Sequence, residues 1–184
     1  MPAVYALAQE LEQTNQSELF AIASYSNSFA GNVYDHNGGI SYYSGSASSL
    51  EADLTDNYTS AVETFDNKYK YSQPVAGGTN IAAGIDEAID VLTGPNARPN
   101  AFKTMIVMTD GQYNAGRAPA DAAADAAALG IDVYTVTFGV GANQSAMQLA
   151  ANSGNGVHFH ADNGDSLAEA FKEIANLPPV ALIE

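Results

Sequence analysis

Cysteine is absent from the 184 residues. That excludes disulfide frameworks, thiolate zinc sites and cysteine nucleophiles, and it leaves the redox compartment open. Basic residues are scarce: six Lys and Arg stand against 21 Asp and Glu, a formal charge of −15. Such a chain has little basic surface with which to displace counterions from phosphates, which argues against nucleic-acid binding. Adhesion to anionic lipid is disfavoured on the same ground. No apolar run approaches the ~20 residues that span a bilayer. No basic segment followed by an apolar stretch opens the chain, so no secretory signal is visible in it. There is also no GxSxG elbow, Walker A loop, HExxH or EF-hand pattern.

What is present is enough apolar material for a core, 46% of residues, in a length that suits one domain. Pro2 to Gln13 reads as a helix, with Val4, Leu7, Ala8 and Leu11 on one stripe. Leu19 to Ser24 is a short apolar run suited to a buried strand. Residues 26–54 are rich in Ser, Gly, Asn and Tyr. Asn37-Gly38 favours a two-residue turn, so this stretch reads as an edge hairpin and a loop insertion. Tyr34, Tyr42, Tyr43 and Tyr58 are either a contact surface or ordinary strand tyrosines. Helices follow at 56–69 and 81–92. From there the chain alternates: strand 102–108, helix 118–129 closed by Gly130, strand 131–138, helix 144–152, strand 157–161, helix 166–175. That last helix opens on a Ser166-x-x-Glu169 capping box and turns Leu167, Phe171 and Ile174 inward. Residues 177–184 form a tail. The alternation predicts an α/β fold with a doubly wound, mostly parallel sheet and helices on both faces.

In open sheets of this kind ligands bind beyond the carboxyl ends of the strands. Three loops fall there. Gly77-Gly78-Thr79-Asn80 offers a close backbone and a hydroxyl, unless Thr79 only caps the next helix. Thr109-Asp110-Gly111-Gln112 places a carboxylate after a buried strand, to hold a hard cation, to cap a helix, or as a plain turn aspartate before glycine. Phe138-Gly139-Val140-Gly141 is a lone GxG, and Gln144 stands where a nucleotide loop needs a small residue. His158 and His160 alternate on a strand and so share a side, as metal ligands or as edge histidines. Asp162-Asn163-Gly164-Asp165 reads as a turn.

The run Gly77-Gly78-Thr79-Asn80, then Lys103 to Gly111 (KTMIVMTDG), then Gly130 to Gly139 (GIDVYTVTFG) resembles the von Willebrand factor type A domain in order and spacing. The resemblance covers residues 2–176. It implies a Rossmann-like doubly wound fold and a non-enzymatic, often adhesive, protein-binding module. It also implies a metal-ion-dependent adhesion site holding Mg²⁺ or Mn²⁺. In that family the metal is held by an Asp-x-Ser-x-Ser loop after the first strand, a Thr in a second loop and an Asp in a third. Thr79 and Asp110 match the last two, and an acidic group of a protein ligand would complete the coordination. The last helix is similar to bacterial members tied to surface pili. The resemblance therefore implies an extracytoplasmic or cell-surface location.

The sequence departs from the family in lacking Asp-x-Ser-x-Ser and the apolar first strand before it. Ser24, Ser26 and Ser28 are spaced by twos but follow the wrong strand. Either the chain is a fragment whose parent begins upstream, or it is a divergent form without a complete site. Both predict a gap flanked by strands 19–24 and 103–108, and weak metal binding. A rival reading is a metal-assisted hydrolase using Asp110, His158 and His160. A third is a structural domain without metal.

Overall fold

The computed structural model describes residues 2–13, 18–27, 30–34, 40–44, 47–71 and 78–177. In chain order the elements are α1 (Pro2–Gln13), β1 (Phe20–Tyr25), β2 (Ala30–Tyr34), β3 (Ile40–Ser44) and β4 (Ser48–Thr55). Then come α2 (Tyr58–Tyr71), α3 (Ile81–Thr93), β5 (Lys103–Thr109), α4 (Pro119–Ala128) and β6 (Ile131–Phe138). The chain closes with α5 (Gln144–Ser153), β7 (Asn155–Ala161) and α6 (Gly164–Ala175).

The strands β5, β6 and β7 form a parallel sheet in that order. Their register is direct, with Met105 beside Val133 and Val136 beside Phe159. The central strand β6 is apolar on both faces, as a doubly covered parallel strand must be. Val133 joins Ile81, Ile85, Met105, Val107, Met147 and the alanines of α4 on one face. Val136 joins Leu7, Leu167, Phe171 and Ile174 on the other. The α1 stripe and the inward side of α6 are therefore used as their spacing predicts. Gly130, with φ +73°, turns the chain out of α4 into β6.

The strand β1 pairs antiparallel with β4, and β2 with β3. The hairpin of β2 and β3 is as expected, while its turn at Asn37-Gly38 lies outside the described residues. Residues 48–54, read above as loop, belong instead to β4 (Ser48–Thr55). The alternation of Leu50, Ala52 and Leu54 with Glu51 and Asp53 was the available signal. The pairing is fixed by a side chain that strand propensity disfavours. The Glu51 side chain is 1% exposed and ion-paired with Lys68, and it accepts hydrogen bonds from Ser24 and from Tyr69, the latter at 3.0 Å. A buried carboxylate needs such partners to be tolerated. Tyr58 belongs to neither reading given above. It is the first residue of α2, 6% exposed, packed edge-on to Phe20, with its hydroxyl donating to the Glu18 carbonyl at 3.1 Å. The side chains of Tyr34, Tyr42 and Tyr43, and residues 178–184 of the tail, lie outside the description.

The gap expected between strands 19–24 and 103–108 is present. The last residue of β1, Tyr25, donates its hydroxyl to the carbonyl of Met108 near the end of β5, so the two strands run in the same direction. Yet they are not paired with each other. Between them lies a slot of about 1740 Å³. It is walled by Leu7, Leu11, Leu167, Phe171 and Ile174 from α1 and α6, and by Gly84, Ala88, Val91 and Leu92 from α3. Ligand pockets usually measure roughly 300–1,000 Å³. The slot is larger, elongated along two strands and apolar on both sides.

The last helix starts earlier than its sequence box implies. Asn163 caps it through bonds from Asp165 and Ser166 N–H, in a box closed by Ser166 rather than Glu169. Two glycines test how tightly the sheet is built. A Cβ on Gly156 would stand 2.2 Å from the Val133 carbonyl oxygen, which is backbone and cannot step aside. A Cβ on Gly164 would meet nothing within 4 Å. Gly156→Ala should lower stability by about 2 kcal/mol or more, in the range of overpacked cores. Gly164→Ala should be neutral or raise it by up to ~1 kcal/mol through the unfolded chain. Urea denaturation of both variants checks the pair, and equal effects would show that the β6–β7 contact yields.

Candidate functional site

The carboxyl ends of β1 and β5 and the start of α3 meet at the upper mouth of the slot. Two alternatives raised by the sequence are removed here. The N-cap of α3 is Asn80, whose Oδ1 accepts the Ala83 N–H at 3.2 Å. Thr79 is therefore not the capping residue. The helix after β5 is α4, capped by Ala118 without a side-chain bond. Asp110 does not cap it.

The Thr79 hydroxyl faces the loop that carries Asp110. Gly111, next to Asp110, would place a Cβ 3.8 Å from the Thr79 hydroxyl oxygen. Asp110 is exposed and Thr79 half-buried. The loop carrying Asp110 is held from several directions. Gly111 N–H donates to the Thr109 hydroxyl at 3.3 Å, and the Gly111 carbonyl accepts the Asn143 N–H at 3.2 Å. Gln112 donates its side-chain amide to the Gly141 carbonyl at 2.8 Å. Asn114 accepts the Thr79 N–H at 2.8 Å and returns its own N–H to the Thr79 carbonyl at 3.2 Å. The GxG loop is thus part of the support for the Asp110 loop. Its next helix is capped by Asn143.

Tyr25 closes the mouth of the slot. Its ring lies where a Cβ on Gly84 would be, within 2.4 Å, so only glycine suits that turn of α3. Burial pushes the Tyr25 phenol up to about 12; a hydrogen bond with Thr109 opposes this and the charge of Asp110 adds to it. The phenol stays neutral and keeps its donor. Neither Tyr25 nor Asn114 was singled out by the sequence reading. A Tyr ending an apolar strand and an Asn four residues after Asp110 are weak signals until the loops are seen together.

A hydroxyl and a carboxylate at an open edge are hard oxygen donors, the kind that Mg²⁺ and Mn²⁺ take. They fit such an ion in kind. Two donors leave most of an octahedron to water or to other ligands. Among the described residues no group of three or more His, Cys, Asp and Glu is placed to hold a metal.

The histidines are elsewhere. His158 and His160 do share one side of β7. His158 meets the Thr135 and Thr137 hydroxyls at 2.9 and 3.2 Å, and His160 meets Thr137 at 2.9 Å and Asp162 at 3.2 Å. The whole of β6 separates them from β5, a backbone offset of about 10 Å at ~4.8 Å per strand. The arrangement of Asp110, His158 and His160 required of a hydrolase is not assembled. Ser24 turns to Glu51 and Tyr69 and also plays no part at this edge.

Comparisons with known proteins agree with this fold. The family model described as von Willebrand factor type A domain matches residues 13–173. No curated protein matches. Among solved structures, proximal thread matrix protein 1 from the mussel byssus is similar with TM-score 0.67 and 17% identity, over 94% of this chain and 40% of that one. The same protein has also been solved with zinc in its MIDAS motif. BatB from Bacteroides thetaiotaomicron is similar with TM-score 0.67 and 18% identity, over 94% of this chain and 84% of that one. A von Willebrand factor type A protein from Catenulispora acidiphila gives TM-score 0.63 and 16% identity, over 94% and 37%. The chain thus spans less than half of the first of these proteins, and the likeness is one of fold.

His158 supplies a pH test of the edge strand. Burial holds its pKa below the usual histidine value, the neighbouring His160 adds to this, and a hydrogen bond to Thr135 opposes it. The folded state therefore resists a proton that the unfolded chain accepts below about pH 6.5, so stability is lost as the pH falls from there through the folded value. His158→Gln should lose less stability than the parent between about pH 7 and pH 5. Parallel losses in chemical denaturation would clear His158 of this role.

Proposed function

The chain belongs to the von Willebrand factor type A domain family, and we propose that it is a non-enzymatic protein-binding module with a partial metal-ion-dependent adhesion site at Thr79 and Asp110. Domains of this family commonly mediate protein–protein interaction and bind a divalent metal at that site. The observation that carries the reading is the release of Thr79 and Asp110 from helix capping and their approach at the sheet's functional edge. The cation is Mg²⁺ or Mn²⁺, held by the Thr79 hydroxyl and the Asp110 carboxylate. When bound, it supplies a positive centre that an acidic group of a protein ligand can join. The setting is a bacterial surface or pilus-related protein, outside the cytoplasm, as the resemblance of the last helix implies. Among the described residues no helix is long and apolar enough to cross a membrane.

The slot belongs to the same reading. Near the foot of α6, Lys172 lies 3.9 Å from Glu10 towards the end of α1, so α1 descends from the mouth of the slot to its base. A strand rising through the slot and leading into α1 would form a right-handed βαβ unit with β1. It would also end beside Thr79 and Asp110, where the family's Asp-x-Ser-x-Ser loop contributes oxygen ligands. Without such ligands the affinity is weak, because Mg²⁺ gives up its water reluctantly.

Titration with Mg²⁺ and Mn²⁺ by calorimetry, on this chain and on one extended upstream, tests the reading. The extended chain should bind, this chain weakly or not detectably, and Asp110→Ala in the extended chain should abolish binding. No binding by either would leave a scaffold that meets its partners through loops alone.

A further inference from the structure

We infer that Asn114 is a positioning residue, which fixes the Thr79 hydroxyl beside Asp110 before a cation arrives. This rests on the metal-site reading and extends it to the contact that builds the site. Asn114 holds Thr79 by both of its peptide groups. Its Oδ1 accepts the Thr79 N–H at 2.8 Å, and its own N–H donates to the Thr79 carbonyl at 3.2 Å. A Cβ on Gly78 would stand 2.0 Å from that same Oδ1. The amide thus occupies the space where any other residue at 78 would begin its side chain.

A second contact lies two residues on. Gly116, with φ +76°, would place a Cβ 2.1 Å from the Asn80 Oδ1, the atom that caps α3. The loop after Asp110 therefore clasps the loop of Thr79 at both ends, and the glycines are what permit the approach. Asn114 is exposed, so hydrogen bonds there contribute modestly to folding. They do fix the separation of the two oxygen donors. A small hard cation demands near-ideal geometry, and groups that orient metal ligands typically alter affinity about 10–100-fold. Asn114 thus acts on the cation through Thr79, without touching it.

The test uses the chain extended upstream, with Mn²⁺ as the probe, read by paramagnetic broadening of the Thr79 and Asp110 amide signals, together with amide exchange at Thr79 in metal-free protein. Asn114→Ala should weaken Mn²⁺ binding by about tenfold or more, speed exchange at Thr79 and leave the melting temperature nearly unchanged. Asn114→Asp, which keeps the acceptor, should restore slow exchange at Thr79 and binding close to the parent. Gly78→Ala should behave like Asn114→Ala, and Gln148→Ala, on the exposed side of α5 and bonded only to Asn152, should not. Should Asn114→Ala bind as the parent does while Asp110→Ala does not bind, the positioning role is wrong and the site reading stands. Binding that survives Asp110→Ala, or no broadening in the parent, would remove both.

Discussion

Two strand edges that run side by side without pairing govern this molecule. Backbone N–H and C=O groups are obligatory hydrogen-bonding groups, and a buried edge must find partners for them. Here β1 and β5 share a direction but are not paired, and the apolar walls between them are built from three helices. The two edges touch at the top, where Tyr25 spans to Met108 and Asn27 N–H donates to the Gly78 carbonyl at 2.6 Å. On one side of the slot stand β1, β4 and α2, on the other β5 to β7, and α3 packs against both. Helix α1 links the two, packing through Leu7 against α6 and through Ala8 against β1 and α2.

That arrangement leaves the loops of Thr79 and Asp110 held independently of the slot. The loops of Thr79 and Asp110 are supported by the parallel sheet and by α3, which are well packed. The Asp110 loop is tied to the Thr79 loop through Asn114, and to the loop after β6 through Gln112 and Asn143. These ties are independent of anything in the slot. In the proposed function, a strand seated there adds ligands beside Thr79 and Asp110.

Electrostatics sets the logic of partner binding. With a net charge of −15, the chain repels an acidic partner at a distance. Asp110 adds a local negative charge at the very edge where the family meets acidic groups. A divalent cation reverses the sign at that one place. In the proposed function, metal binding and partner binding are then coupled by charge.

The elements after Ile81 were legible in the sequence because each is decided locally. The stripe of α3, the β-branched run of β6 and the left-handed Gly130 after α4 carry their own signals. The strand β4 was not legible, because its polar residues acquire meaning only when Glu51 is buried against Ser24, Lys68 and Tyr69. Thr79 and Asp110 could be named as candidates from motif and position, yet each also had a structural alternative, a helix cap for either one or a plain turn aspartate for Asp110. Only the tertiary structure removed the capping roles, by giving the caps to Asn80 and Ala118. It likewise separated the histidines from Asp110 by the width of β6, since strand order is not written in local sequence. Local hydrophobic period and turn chemistry thus determined the elements and the edge where ligands meet the chain. Which side chains converge there, and the slot between β1 and β5, were decided by packing between residues distant in sequence.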